Sequence, residues 1–274
     1  MRIAPILLIS LCLPAFSTAQ SYTALTWNIR YDQPKDSLDR WDRRKQALVH
    51  EVLARKPQLI GLQEVLANQA AFLDGQWGGY QRFGVGRDDG KTSGEYSPVY
   101  FDTTVFTLLL GRTLWLSETP DRPGFGWDAS CNRIATIVIL RDKSTADSVW
   151  VVSTHWDYEG KESRKHSARL IHGELALPMA RGKHVILMGD LNTNRSTEPL
   201  RFLRDRFADS CPRDQKRRGT SNRFKLRKHC FKRIDYIWLS PTNWEVLSYE
   251  VSHPRVNGRQ VSDHFPVVVR LKAL

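Results

Sequence analysis

Short apolar runs that end in polar side chains recur along this chain. Lys183 to Asn194 reads KHVILMGDLNTN, in which Val185 to Met188 has the character of a buried strand and Gly189, Asp190, Leu191 and Asn192 follow at its end. Tyr22 to Trp27 ends in Asn28, Leu59 to Leu62 ends in Gln63 and Glu64, and Val149 to Val152 leads to His155. Gly, Asp and Asn are ordinary turn residues, so a single junction of this kind carries little weight. Four strands that each end in an amide, a carboxylate or an imidazole carry more. Two segments reverse the order, with Asp235 before Tyr236 to Leu239 and the pair Asp263, His264 before Phe265 to Leu271. If these run antiparallel to the first four, a mixed sheet gathers every polar end into one crevice, where open α/β sheets handle their ligands.

Between these runs the period changes. A helix is expected from Trp41 or Asp42 to Pro57, with Leu48, Val49, Val52 and Leu53 on its apolar stripe, and a weaker one from Val65 to Asp74, stopped by Gly75. Tyr80 to Val85, Ser97 to Phe101 and Val105 to Trp115 read as a meander of antiparallel strands. Thr119 to Asn132 reads as an irregular loop anchored by Phe125 and Trp127, and Arg133 leads the strand Ile134 to Leu140. Glu162 to Leu177 is the strongest helix, with Ala168, Ile171 and Leu175 on one face and Pro178 as its stop. It joins the strands at Val149 and Met188 as a right-handed βαβ unit. A short helix follows near Glu198 to Arg204.

With 274 residues, 41% hydrophobic and 26% charged, the chain suits one large α/β domain. Met1 to Ala19 has one basic residue, an apolar run and small residues before Gln20, the pattern of a signal peptide, leaving 20–274 as the mature domain. No later run is long enough for a transmembrane segment, so a soluble protein, secreted or periplasmic, is expected. That leaves Cys131, Cys211 and Cys230. A Cys211–Cys230 bridge would stabilise the fold by about 3 kcal/mol, and free thiols are the alternative. No CxxC or HxxxH spacing points to zinc.

Charge is concentrated. Residues 213–233 hold ten Lys or Arg against one acid, Asp214, and so carry +9 of the formal net charge of +12. Such a run suits a polyanion such as nucleic acid, a phospholipid surface or a sulfated polysaccharide; a solvated loop is the plainer reading. Phe224 and Phe231 within it would stack on bases or act as a hydrophobic foot.

Asn28, Glu64, Asp190, Asn192, Asp235, Asp263, His155 and His264 together offer hard oxygen ligands, which suit Mg²⁺, Mn²⁺ or Ca²⁺, and imidazoles that move protons. A divalent ion there would neutralise charge developing on a phosphate, so phosphate-ester hydrolysis is the chemistry expected. No GxSxG elbow is present, and Cys131 has no His close to it in the pattern.

TWNIR around Asn28, QEV around Glu64, GEYSPVYF from Gly94, STHWD around His155, GDLN around Asp190, RIDYI around Asp235 and SDHFPV around His264 resemble, in order, the motif set of the endonuclease/exonuclease/phosphatase (DNase I-like) superfamily. The resemblance covers essentially the whole mature chain and implies an α/β fold, a four-layer α/β/β/α sandwich of two packed mixed sheets, with Mg²⁺-dependent phosphoesterase chemistry. By motif, Glu64 would be the chief metal ligand, with Asn28 and Asp263. His264 would be general base or phosphate-binding group, oriented by Asp235. His155, with Glu95 as partner, would donate a proton or contact phosphate. Asp190 and Asn192 would hold the attacking water and phosphoryl oxygens, and Arg133 would add positive charge.

One departure stands out. The secreted bacterial-type members that this chain resembles usually read THxDHxG, whereas here, in THWDYEG, Tyr158 stands in place of the second His. The basic run 213–233 is a second departure, in a segment that is less basic in those members. The expectation is a secreted metal-dependent phosphodiesterase or nuclease. The alternatives are a phosphomonoesterase or phospholipid-headgroup phosphodiesterase and, from another class, a non-catalytic polyanion-binding protein on the same scaffold.

Overall fold

The computed structural model describes residues 20–215, 219–225 and 232–274; the expected signal peptide, Cys230 of the expected bridge, Phe231 and part of the basic run lie outside them. In chain order the elements are β1 (Ser21–Asn28), α1 (Trp41–Arg55), β2 (Leu59–Gln63), α2 (Ala67–Gln76), β3 (Tyr80–Phe83), β4 (Val99–Asp102), β5 (Phe106–Trp115), β6 (Ile134–Asp142), β7 (Ser148–His155), α3 (Lys161–Ala180) and β8 (His184–Asp190). They continue with α4 (Glu198–Arg204), β9 (Ala208–Asp209), β10 (Asp235–Leu239), β11 (Trp244–Val251), β12 (Arg255–Val256), β13 (Arg259–Gln260) and β14 (Val267–Ala273).

Among the described residues there are two six-stranded sheets, ordered β11-β14-β1-β2-β4-β3 and β5-β6-β7-β8-β10-β9, and a small β12-β13 ribbon. Both are mixed: β1 runs parallel to β2 and antiparallel to β14, and β8 runs parallel to β7 and antiparallel to β10. The apolar runs are continuous because both faces of these strands are covered. Along β1, Tyr22 and Ala24 pack between the sheets while Leu25 and Trp27 pack outward toward α1. Along β8, Ile186 and Met188 point between the sheets, and Val185 and Leu187 pack with Ile171 and Leu175 of α3. The result is the four-layer α/β/β/α sandwich.

The one mixed sheet expected from the strand ends is therefore two. The expected meander is split, since β3 and β4 pair with each other in the first sheet while β5 pairs with β6 in the second. Gly75 does not stop α2, which runs to Gln76. Pro178 likewise lies inside α3; its missing donor falls in the last turn, which Arg181 closes by donating to the Leu177 carbonyl. Leu53 is exposed, so α1 buries a narrower stripe than expected, and Phe125 is 65% exposed and anchors nothing. Trp127 does anchor its loop, stacking on His166 of α3 with ring centroids 4.5 Å apart.

Candidate active site

Strand register does much of the placing. His155 pairs with Asp190 across β7 and β8, and Asp190 pairs with Asp235 across β8 and β10, so three chemical groups stand in a row at one end of the second sheet. The close approach of β7 and β8 needs a glycine, because a Cβ on Gly189 (φ 149°) would collide with the Thr154 carbonyl. At the same end of the first sheet, Asn28 pairs with Gln63, and Glu64 follows at once. The 262–264 loop enters from β14, where Ser262 Oγ donates to the Asn28 carbonyl at 2.7 Å and Trp27 Nε1 to the His264 carbonyl at 3.0 Å.

His264 links the two sheets. Its Nδ1 lies 2.9 Å from Asp235 Oδ2 and 3.8 Å from Asp190 Oδ2, which leaves Nε2 for the crevice. Burial opposes charge on this imidazole, but Asp235, Asp190 and Asp263 together hold its pKa well above the usual range. Asp190 lies between the two histidines, with Oδ2 also 3.6 Å from His155 Nε2. Asn28 Nδ2 donates to Asp190 Oδ2 at 3.1 Å and to Glu64 Oε1 at 2.9 Å, tying the two sheet ends together.

Two groupings could hold a cation. Asp190, Asp235 and His264 have ligand atoms within 4.8 Å of one another, but their mutual hydrogen bonds already engage them. The donor chemistry on the other side is harder: Glu64 carries a carboxylate, Asp263 a carboxyl pushed up by burial and then by the like charge of Glu64, and Asn28 an amide whose oxygen accepts the Arg30 N–H at 3.0 Å while its nitrogen faces Glu64. Glu64 and Arg30 both adopt left-handed backbone, φ 60° and 58°, a conformation that side chains other than glycine tolerate at a cost. Behind them the buried Arg44 guanidinium donates to the carbonyls of Ile29, Arg30 and Asp39.

The remaining wall carries cations. Arg133, 3% exposed, donates through Nε to Asp157 Oδ2 at 3.2 Å. Arg87 Nη1 donates to Glu95 Oε2 at 2.8 Å, and Glu95 Oε2 is 3.7 Å from His155 Nδ1. Although burial pushes the Glu95 carboxyl up, His155 and Arg87 hold it down at about 2. Asn192, itself left-handed at φ 47°, donates its backbone N–H to Asp190 Oδ1 at 2.9 Å, and its side-chain nitrogen lies 3.0 Å from His155 Nε2. Glu64, Glu95, Arg133, His155, Asp190, Asn192 and His264 thus line one crevice of 370 Å³, and Asn28, Asp235 and Asp263 stand behind or beside them.

Arg30, Tyr31, Arg87 and Cys131 also line the crevice and were not singled out from sequence as site residues. Asp157 was in view inside STHWD without a role; it is fully buried and accepts from Ser130, Glu159, Gly160 and Arg133. Cys131 shares the crevice with His155, and its Sγ lies 4.0 Å from Asp157 Oδ2. In the basic segment, Arg233 is sequestered: both Nη atoms donate to Asp209, at 2.9 and 2.6 Å, and its guanidinium lies over Tyr236. Phe224 is half-buried, with the Arg44 guanidinium 5.8 Å from its ring centroid. The N–H groups of Asn222 and Arg223 donate to the Asp263 carbonyl, so this segment begins against the crevice.

The family model described as Endonuclease/Exonuclease/phosphatase family matches residues 25–264. The chain belongs to that family. Its members hydrolyse phosphate esters. Among solved structures, an endonuclease/exonuclease/phosphatase family protein from Bacteroides thetaiotaomicron is 30% identical at TM-score 0.85, covering 93% of this chain and 98% of that one. One from Bacteroides vulgatus is 32% identical at TM-score 0.84, covering 93% and 100%. A Bacteroides thetaiotaomicron mannosyl-6-phosphatase is 30% identical at TM-score 0.83, covering 91% and 99%. A search of curated proteins by sequence returned no match. Among the described residues no helix is long and apolar enough to cross a membrane.

Proposed function

We propose that this family member is an exported, secreted or periplasmic, metal-dependent phosphoesterase that hydrolyses a phosphomonoester of a sugar or similar polyol by attack of an activated water. The observation that carries the reading is the His264–Asp235 pair facing Asp190, Asn192 and His155 across one crevice. Glu64, with Asn28 and Asp263 beside it, would hold Mg²⁺, or Mn²⁺ or Ca²⁺ in its place, and the ion when bound supplies positive charge to the phosphoryl oxygens.

His264 presents Nε2–H to a non-bridging oxygen while Asp235 balances its charge. Asp190 orients the water with Asn192 and accepts its proton. His155, steadied by Asn192 and Glu95, protonates the leaving oxygen. Arg133 adds a fixed cation for the charge that builds on the phosphoryl group.

The sugar monoester reading is supported by the similarity to the mannosyl-6-phosphatase. A second reading, a phosphodiesterase acting on nucleic acid, is favoured by the basic run 213–233, whose described part abuts Asp263. The test is phosphate release or strand cleavage, with Mg²⁺ or with EDTA, on hexose phosphates, bis-p-nitrophenyl phosphate, DNA and RNA. Magnesium-dependent turnover of the monoesters alone supports the first reading. Cleavage of polymers that falls steeply with added salt supports the second. A folded protein that turns over none of them leaves the non-catalytic polyanion binder.

A further inference from the structure

One wall of the crevice has hydrogen-bonding capacity that the protein itself does not use. Buried Arg133 Nη1, Asn132 Oδ1 and Arg87 Nε have no hydrogen-bond partner among the described residues; Arg133 and Arg87 line the crevice, and Asn132 lies between Cys131 and Arg133, which both do. Buried polar atoms are nearly always paired, so a cluster of unpaired ones on a single wall marks a place where a ligand completes them. Arg133 is more than nine-tenths buried and lines the crevice, so bulk water does not serve its free Nη1. Next to Arg87 in the chain, Asp88 accepts the Asn132 side-chain N–H at 3.2 Å while its own carboxylate stays half-exposed.

Tyr158 stands at the rim of this wall. It is 58% exposed and lines the crevice, with the Arg133 guanidinium 5.8 Å from its ring centroid. Its backbone is held: the preceding Asp157 accepts N–H bonds from Glu159 at 2.9 Å and Gly160 at 2.7 Å, and the Ser130 hydroxyl at 2.8 Å. A large ring on a fixed backbone is left with a face open to the crevice instead of packed.

We propose that Tyr158 is the specificity-determining residue of a leaving-group subsite, its ring stacking on the face of a carbohydrate whose hydroxyls bond to Asn132, Asp88 and Arg87. An aromatic plate bordered by a carboxylate, an amide oxygen and a guanidinium matches a pyranose, which has C–H groups on its faces and alternating donors and acceptors around its edge. Arg133 and His155 are left to the phosphoryl group and the leaving oxygen. This inference rests on the sugar phosphomonoesterase reading and adds to it the residue that selects the sugar ring.

The test is steady-state kinetics of the magnesium-loaded enzyme and its Tyr158→Ala, Tyr158→Phe and Asn132→Ala variants on a hexose 6-phosphate, glycerol 2-phosphate and a nucleoside 5′-monophosphate. For the hexose phosphate, Tyr158→Ala raises KM about 10-fold with kcat within about twofold, and Tyr158→Phe restores KM, because the ring and not the hydroxyl stacks. Asn132→Ala raises the same KM, and glycerol 2-phosphate, which has no ring to stack, is unaffected by all three substitutions. Equal losses on glycerol 2-phosphate, an unchanged hexose phosphate KM, or a loss confined to the nucleotide would overturn the inference while the esterase stands. Failure of the wild-type enzyme to hydrolyse any monoester would overturn both.

Discussion

The two sheets deliver their groups to the crevice by different means. On the second sheet, regular pairing sets His155, Asp190 and Asp235 side by side, so the ladder itself fixes their spacing. On the first, only Asn28 sits in a strand; Glu64 stands on left-handed backbone just past β2, and Asp263 and His264 on a loop before β14. The groups that handle protons are thus mostly placed by a rigid ladder, and those that would meet the cation by strained connections held from behind by Arg44. Precision and adaptability are divided between two sheet ends that face each other.

That division can be broken at the bridge between them. His264→Ala removes the group joining the sheets' chemistry, and kcat is expected to fall by about 10³-fold or more with the far-UV circular dichroism unchanged. Glu64→Ala strikes only the first sheet: activity falls comparably, and the rise in Tm that Mg²⁺ confers on the wild type is lost, a readout independent of turnover. Gly189→Ala attacks the ladder itself, since the added Cβ meets the Thr154 carbonyl. A loss of about 3 kcal/mol in urea unfolding is expected, with activity falling because His155 and Asp190 separate.

Asp157→Asn is a gentler probe of the same sheet. Burial pushes this carboxyl up, but the Gly160 N–H, the Ser130 hydroxyl and Arg133 bring it down to about 2 from an ordinary 3.8. A lowered carboxyl contributes stability that is complete above its unfolded value and is lost as pH falls from about 4 to about 2. Asp157→Asn is expected to flatten that window in urea midpoints measured from pH 5 downward. It also lowers kcat about 10-fold by loosening Arg133. An unaltered pH profile would show that the charge of Asp157 is not what the wall depends on.

Much of this arrangement was legible in the chain because central strands, covered on both faces, read as unbroken apolar runs with visible polar ends. Asn28, Glu64, His155 and Asp190 were found that way. The partition into two sheets rests on pairings between distant segments, so nothing local separates β4 from β5. β11 was missed because Trp244 to Val251 buries only its ends and Tyr249, leaving no clean alternation. Arg87 and Asp157 act through partners far along the chain, Glu95 being eight residues away and Arg133 twenty-four, and short-range pattern cannot see such pairs. The pairing of Arg233 with Asp209, twenty-four residues earlier, was hidden by the basic run around it.

The cross-sheet bridge has a consequence for synthesis. Asn28 emerges from the ribosome more than two hundred residues ahead of Asp263 and His264. A polypeptide interrupted anywhere short of that loop lacks both the imidazole that Asp235 balances and a carboxylate beside Glu64, whatever else has folded. The crevice is complete only once that loop has been made, so termination ahead of it is expected to yield inert fragments rather than half-active ones.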